Sequence, residues 1–223
     1  MKTIYEFLLK SKTSVSTQDN DCVDLGLPSG LLWATCNIGA DKPTDYGDYF
    51  MWGSTKPDTD NECRLKTCPF NTNKVNDIDI HDACRNDILV PEYDAATVIL
   101  GSEWRLPTND DFEELIDNTE HKWIRNYQGS KVNGMRFTPK NAEANGAELD
   151  TELFIPASGY RIGSIFRWRG GQAYLWSASF NTENTINESN IILNKSTCVI
   201  SYNYRSTGLC LHVLGKLDAK CVP

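Results

Sequence analysis

The C-terminal half of the chain is a series of short apolar runs, each closed by glycine or by a polar cluster, and no stretch of it has room for a long helix. Phe154-Ile-Pro-Ala-Ser-Gly-Tyr-Arg161 is an apolar run with a glycine break, and Gly170-Gly-Gln-Ala-Tyr-Leu-Trp-Ser-Ala-Ser179 is a second, carrying aromatics and small hydroxyls. Runs bounded in this way read as strands. Further strand-like runs fall at Trp123 and at residues 132–137, 191–193, 198–201 and 209–213. Alternation puts Tyr174 and Trp176 on one face, where core packing is expected, and Leu175 and Ser177 on the other.

Two helices are predicted ahead of these strands. Residues 91–101 begin with Pro91, carry Glu92 and Asp94 early, and stop at Gly101. Residues 108–116 start at Thr108, with Asp111 at the third position of a capping box and Phe112, Leu115 and Ile116 as the buried stripe. Arg105 is expected to tie the loop before this helix through its rigid fork of donors. Earlier, residues 23–36 read as two strands about the Pro28-Ser29-Gly30 turn, and residues 46–53 as an aromatic, strand-like piece between glycines. Helices followed by antiparallel strands predict the α+β class.

The organisation expected is an N-terminal helix and linker over residues 1–20, one domain over 21–215 with an insertion at 56–87, and a tail at 216–223. Ile4, Phe7 and Leu8 share a helical face, whereas residues 11–20 are polar. Glu6 interrupts the first apolar run and no small-residue cleavage site follows, so no signal peptide is read there. With 40% apolar residues, the 223-residue chain can bury a core. Its net charge of −8 argues against nucleic acid, which demands Lys and Arg to displace counterions. No apolar run reaches the roughly 20 residues that span a bilayer, so membrane insertion is not expected.

Residues 180–206 are crowded with Asn, Ser, Thr and Tyr and read as a long polar loop carried on a stiff sheet. Such a surface suits recognition, because Tyr offers large contact area at small entropic cost while Asn and Ser adapt their hydrogen bonds. The candidate ligand-binding residues are Ser179, Phe180, Asn181, Asn184, Asn187, Asn190, Ser201, Tyr202, Asn203, Tyr204 and Ser206, with Phe180, Tyr202 and Tyr204 as aromatic anchors. No cofactor is expected. Within the insertion, however, Cys63, Cys68, His81 and Cys84 have the ligand types of a structural zinc site, set against ordinary loop thiols. Asp58, Asp60, Asp77, Asp79, Asp82, Asp110 and Asp111 lack calcium-loop spacing and read as a solvated acidic face.

Of eight cysteines, Cys22, Cys36, Cys198 and Cys210 lie in strand-like surroundings and are expected to act as small hydrophobes. Cys22–Cys36 or Cys198–Cys210 disulfides are the alternative. Cys210 and His212 are two residues apart, so a Cys–His nucleophile is conceivable if the thiol lies in an open cleft.

Several of these motifs, taken together and in order, resemble the Fibrobacter succinogenes major paralogous domain family. They are Val23-Asp-Leu-Gly-Leu-Pro-Ser-Gly-Leu-Leu-Trp-Ala-Thr-Cys-Asn-Ile-Gly39, Tyr46-Gly-Asp-Tyr-Phe-Met-Trp-Gly53, Glu92-Tyr-Asp-Ala-Ala96, Trp104-Arg-Leu-Pro-Thr108, Phe154 to Arg161 and Leu175-Trp-Ser-Ala-Ser179. The resemblance implies a C-type-lectin-like fold, in the version shared with formylglycine-generating enzymes: two helices, a twisted antiparallel sheet and long C-terminal loops. It further implies a binding or adhesion module at a cell surface or on a virion, such as a phage or prophage receptor-binding protein, with a protein or glycan as ligand. A related set of proteins is diversified by retroelements at Asn, Tyr and Ser codons of the last third. The alternatives are an assembly protein, docking through residues 1–20 on a virion component or another copy, and a thiol enzyme.

Overall fold

Pro28 and Gly30 reverse the chain in its first tight turn. Gly30 takes the left-handed φ of 68° that other residues resist, and its N–H donates to the Leu27 carbonyl at 2.9 Å. The computed structural model describes residues 22–59, 63–70, 80, 82–140, 150–183 and 186–215. Strand β1 (Cys22–Val23) pairs across this turn with β2 (Leu32–Asn37). A small hairpin, β3 (Cys84–Arg85) and β4 (Ile88–Leu89), precedes helix α1 (Ala95–Leu100), strand β5 (Trp104–Arg105) and helix α2 (Asn109–Asn118). Strands β6 (Thr119–Ile124), β7 (Gly134–Pro139) and β8 (Leu153–Pro156) form a three-stranded sheet. A hairpin of β9 (Tyr160–Ile162) and β10 (Ile165–Arg167) follows. Strands β11 (Ala173–Trp176), β12 (Asn187–Asn194) and β13 (Thr197–Tyr204) then build a second three-stranded sheet. Finally β14 (His212–Gly215) returns to lie between β2 and β5. All of these strand pairs are antiparallel, so the fold is mixed α+β, mostly strands in several small sheets with two helices.

The β11–β12 ribbon separates two apolar clusters, because alternate side chains leave a strand on opposite faces. Tyr174, Trp176 and Ile192 pack with Phe50, Trp52 and Phe70; Leu175, Ile191 and Leu193 pack with Trp33, Phe112 and Phe137. Trp52 and Trp176 close the first cluster reciprocally. Trp52 Nε1 donates to the Ser177 carbonyl at 2.9 Å, and Trp176 Nε1 donates to the Phe50 carbonyl at 2.8 Å. Each buried indole N–H thereby keeps the partner it would lose on leaving water.

The helical region is organised by two carboxylates. Asp94 is buried and accepts from the Ala96, Thr97 and Leu106 amides, which caps α1 and pins β5 to it. Asp111 completes the capping box with Thr108 and receives both Nη atoms of Arg105, at 2.6 and 2.9 Å. Arg105 therefore anchors the loop as its sequence position suggested.

Three segments differ from expectation. Residues 91–101 are a short 3-10 turn, Pro91–Tyr93, and then α1, because the extended Asp94 interrupts the helix in order to cap it. Residues 46–53 form an isolated bridge, Phe50 to Leu209, and no strand. The long polar loop expected at 180–206 is largely the β12–β13 hairpin, closed by Lys195 and Ser196. Its Asn, Ser and Tyr residues alternate with Ile191, Leu193 and Ile200, and burial of these apolar side chains sets the pairing against loop-like local preference. No helix among the described residues is long and apolar enough to cross a membrane. The expected segments 1–20 and 216–223 lie outside the described residues, as does part of the insertion 56–87.

Asp94→Ala strands three amides at once. Its unfolding free energy should fall by about 3 kcal/mol in denaturant titration, the sum expected for a lost cap and newly unpaired buried donors.

Candidate functional site

The candidate site is the outer end of one face of the β12–β13 hairpin. Register sets Tyr204 opposite Asn187, Tyr202 opposite Ser189, and Ile200 opposite Ile191. These six residues therefore share a face. Its inner part, Ile191 and Ile200, packs in the cluster that holds Phe112 and Leu115 of α2. Beyond α2 the same face emerges into solvent, and there Tyr202 and Tyr204 are 55% and 62% exposed. The head of α2 borders the patch: Asn109 Nδ2 donates to Ser189 Oγ at 3.2 Å, and the Asn109 amide donates to Ser179 Oγ at 2.9 Å. The Oδ1 atoms of Asn109 and Asn187 are shielded from bulk water and receive no hydrogen bond among the described residues. Both oxygens are enclosed beside the two exposed phenols.

The opposite face of the hairpin carries a buried charged pair. Glu188 and Arg205 are almost fully enclosed, with Arg205 Nη2 3.1 Å from Glu188 Oε1. That contact is an ion pair without hydrogen-bond alignment. Arg205 Nη1 donates to the Phe70 carbonyl, and the Asn181 amide donates to Glu188 Oε2. Burial pushes the Glu188 carboxyl up to about 7, against the opposing pull of the Asn181 amide and Arg205. Asn190 is fully buried on this face, its Nδ2 turned to the Ile191 carbonyl.

The expected ligand-binding residues divide accordingly. Tyr202, Tyr204 and half-buried Asn187 come together, with Ser179 at the margin through Asn109. Phe180, expected as a surface anchor, is instead 8% exposed in the aromatic cluster, its ring centroid 6.2 Å from that of Trp52. Asn181 and Asn190 are also buried: the Asn181 amide is drawn to Glu188, and strand pairing sets Asn190 opposite Trp176 on the inward face. Ser201 and Asn203 are half-buried on the face away from Tyr202, Ser206 is half-buried in the following turn, and Asn184 lies outside the described residues. Asn109 and Ser189 join the site without a sequence signal of their own. Only the position of Asn109, directly after the capping Thr108, placed it at a helix head.

The remaining candidates are dispersed. Cys63 and Cys68 are buried together beside Met51, whereas Cys84 packs against the larger aromatic cluster. His81 lies outside the described residues. No group of three or more His, Cys, Asp or Glu side chains arranged to hold a metal occurs among the described residues. Cys210 is fully buried, and burial pushes its thiol up to about 12, far from the thiolate that nucleophilic chemistry needs. His212 is buried too. Its Nε2 lies 2.7 Å from the Ala34 carbonyl, and burial pushes the ring down to about 4. Cys198 and Cys210 carry separate thiols.

No family model, curated protein or solved structure matches this chain.

Glu188 gives the hairpin a pH signature. Its folded value, about 7, exceeds the ordinary 4.5, so its contribution is fully present below pH 4.5 and is lost as pH rises through about 7. Buried His212, shifted down from 6.5 to about 4, contributes the opposite slope, with stability lost as pH falls through about 4. Measured against the Glu188→Gln variant, wild-type unfolding free energy should therefore decline between pH 4.5 and about 7. Parallel pH profiles for the two proteins would contradict the assignment.

Proposed function

We propose that this chain is a binding module of C-type-lectin-like fold, of the Fibrobacter succinogenes major paralogous domain kind. It recognises a protein or glycan on a cell surface, as a phage or prophage receptor-binding protein or a bacterial surface adhesin does. The observation that carries this reading is the pair of exposed phenols, Tyr202 and Tyr204, on a hairpin whose other face is pinned by the buried Glu188–Arg205 pair. Large aromatic area on a stiff support loses little entropy on binding. The phenol hydroxyls of Tyr202 and Tyr204 can both donate to and accept from sugar hydroxyls or peptide groups. A thiol-enzyme reading draws no such support, because Cys210 is sealed and its thiol is held protonated.

The second reading, an assembly module, is favoured by one observation. Ile162, Ile165 and Trp168 are each more than half exposed on the β9–β10 hairpin and its exit, an apolar patch remote in sequence from the tyrosines. Trp168 holds a left-handed φ of 58°, and a Cβ on Gly159 would collide with the Arg167 carbonyl oxygen, so the hairpin is tightly seated. Under this reading, deletion of residues 1–20 abolishes incorporation into a larger particle and leaves ligand binding intact.

The primary test is a glycan-array and cell-surface binding screen of the wild-type chain with Tyr202→Ala and Tyr204→Ala. Each substitution should weaken binding by about tenfold or more, as loss of an aromatic anchor does, without moving the melting temperature. Binding that survives both changes would remove this surface from the function. In sister isolates, substitutions concentrated at Asn, Ser and Tyr codons of residues 179–206 would mark a diversified binder.

A further inference from the structure

β13 ends its sheet: its inner edge pairs with β12, and its outer edge pairs with no other described strand. The turn at Lys195 and Ser196 fixes which backbone groups face outward. In a two-residue hairpin the flanking residues, here Asn194 and Thr197, exchange both backbone hydrogen bonds, and the pattern then alternates. Thr197, Val199, Ser201 and Asn203 are turned to β12. The Arg205 amide follows the same phase and donates to the Ile186 carbonyl. Cys198, Ile200 and Tyr202 therefore aim their N–H and C=O groups away from the sheet; Tyr204 follows the same phase, although its carbonyl also accepts from the Thr207 amide at 2.8 Å.

Sheet edges of this length are ordinarily blunted by lysine, proline, a bulge or an inward-pointing charge. β13 reads Thr-Cys-Val-Ile-Ser-Tyr-Asn-Tyr, with neither charge nor proline, and its register with β12 runs unbroken from Asn187 to Asn194. Such an edge is a template for another extended strand. Charge selects the occupant. Antiparallel pairing of a strand with its own copy sets every side chain opposite one from the same short sequence, so a charge near the axis would meet its like. The chain as a whole carries −8, but β13 carries nothing to repel its twin.

We propose that β13 pairs edge to edge with β13 of a second copy of this chain, about a two-fold axis at Ser201. Of the possible registers, only this one pairs all four outward residues: Cys198 with Tyr204 of the second copy, and Ile200 with Tyr202 of the second copy. Both are aliphatic or thiol groups against an aromatic, the favourable kind of cross-strand pair. The axis passes between two small serines. A two-fold normal to the sheet keeps the same face of each copy on the same side. The two Tyr202–Tyr204 patches would then form one surface, and a ligand presented in repeats would be held by both. The proposal goes beyond the binding reading and needs no ligand for its test, so either can fail alone.

A single strand edge buries less than the roughly 1,200 Å² of a standard interface, so the dimer should form only at high concentration, and amide hydrogen exchange is compared at about 20 µM and about 1 mM. The Cys198, Ile200 and Tyr202 amides should exchange about tenfold more slowly at the higher concentration, while sedimentation shows a dimer. Fast exchange at both concentrations would overturn the proposal. Equally slow exchange at both would overturn it too, by showing that the edge is covered within one chain. Ser201→Lys sets like charges face to face at the axis and should leave a folded monomer, and an equimolar mixture with Ser201→Glu should restore the dimer. A Ser201→Lys protein that still dimerises would exclude this register.

Discussion

The guanidinium of Arg205 is buried where the β12–β13 hairpin meets the rest of the molecule, and it cannot remain there without partners. An isolated charge taken from water into the interior costs several kcal/mol, and here it is offset by Glu188 at 3.1 Å and by the Phe70 carbonyl. The Arg205 backbone is engaged as well, its carbonyl accepting from Trp52 and its amide donating to Ile186. One residue thus joins the hairpin, the aromatic cluster and the segment 63–70. The exposed tyrosines lie one and three residues before it, so their position is fixed from beneath by a contact they do not share.

The same logic recurs elsewhere in the fold. Arg161 is enclosed beside Asp58, 3.4 Å away, and its Nε donates to the Gly163 carbonyl. Arg105 is held by Asp111 at the head of α2, next to the margin of the tyrosine patch. Arg205 and Arg161 cross between segments distant in sequence, whereas Arg105 ties β5 to the head of α2, and each uses donors in fixed directions that a lysine could not reproduce. Small antiparallel sheets have few hydrogen bonds to one another, and these charged crossings supply part of the missing connection. The return of β14 between β2 and β5 supplies another, joining the two ends of the described chain.

The two faces of the hairpin divide the work. The inner face holds Glu188 and Asn190, buried and polar, which favours one arrangement of the strand pair over a slipped one, because a one-residue shift would expose the charge and bury the tyrosines. The outer face is free to vary beyond α2, since Tyr202 and Tyr204 make few demands on the core. Under the proposed binding reading, the solvent-facing end would vary while its buried support stays fixed.

Sequence alone determined the local pieces: the turn at Pro28 and Gly30, the capping box at Thr108 and Asp111, the anchoring by Arg105, and the alternation that buries Trp176. Each depends on residues close together in the chain, where backbone geometry and side-chain reach dictate the outcome. Tertiary structure decided which of the polar residues between 179 and 206 are surface and which are interior. Phe180, Asn181 and Asn190 have the composition of a contact loop, yet they are buried, because Glu188 holds the Asn181 amide, pairing sets Asn190 opposite Trp176, and Trp52 offers Phe180 a ring to pack on. Nothing local distinguishes them from Tyr202 and Tyr204. The difference is made by pairing across the hairpin and by residues more than a hundred positions away, such as Phe70 and Trp52, which only the folded chain brings into contact.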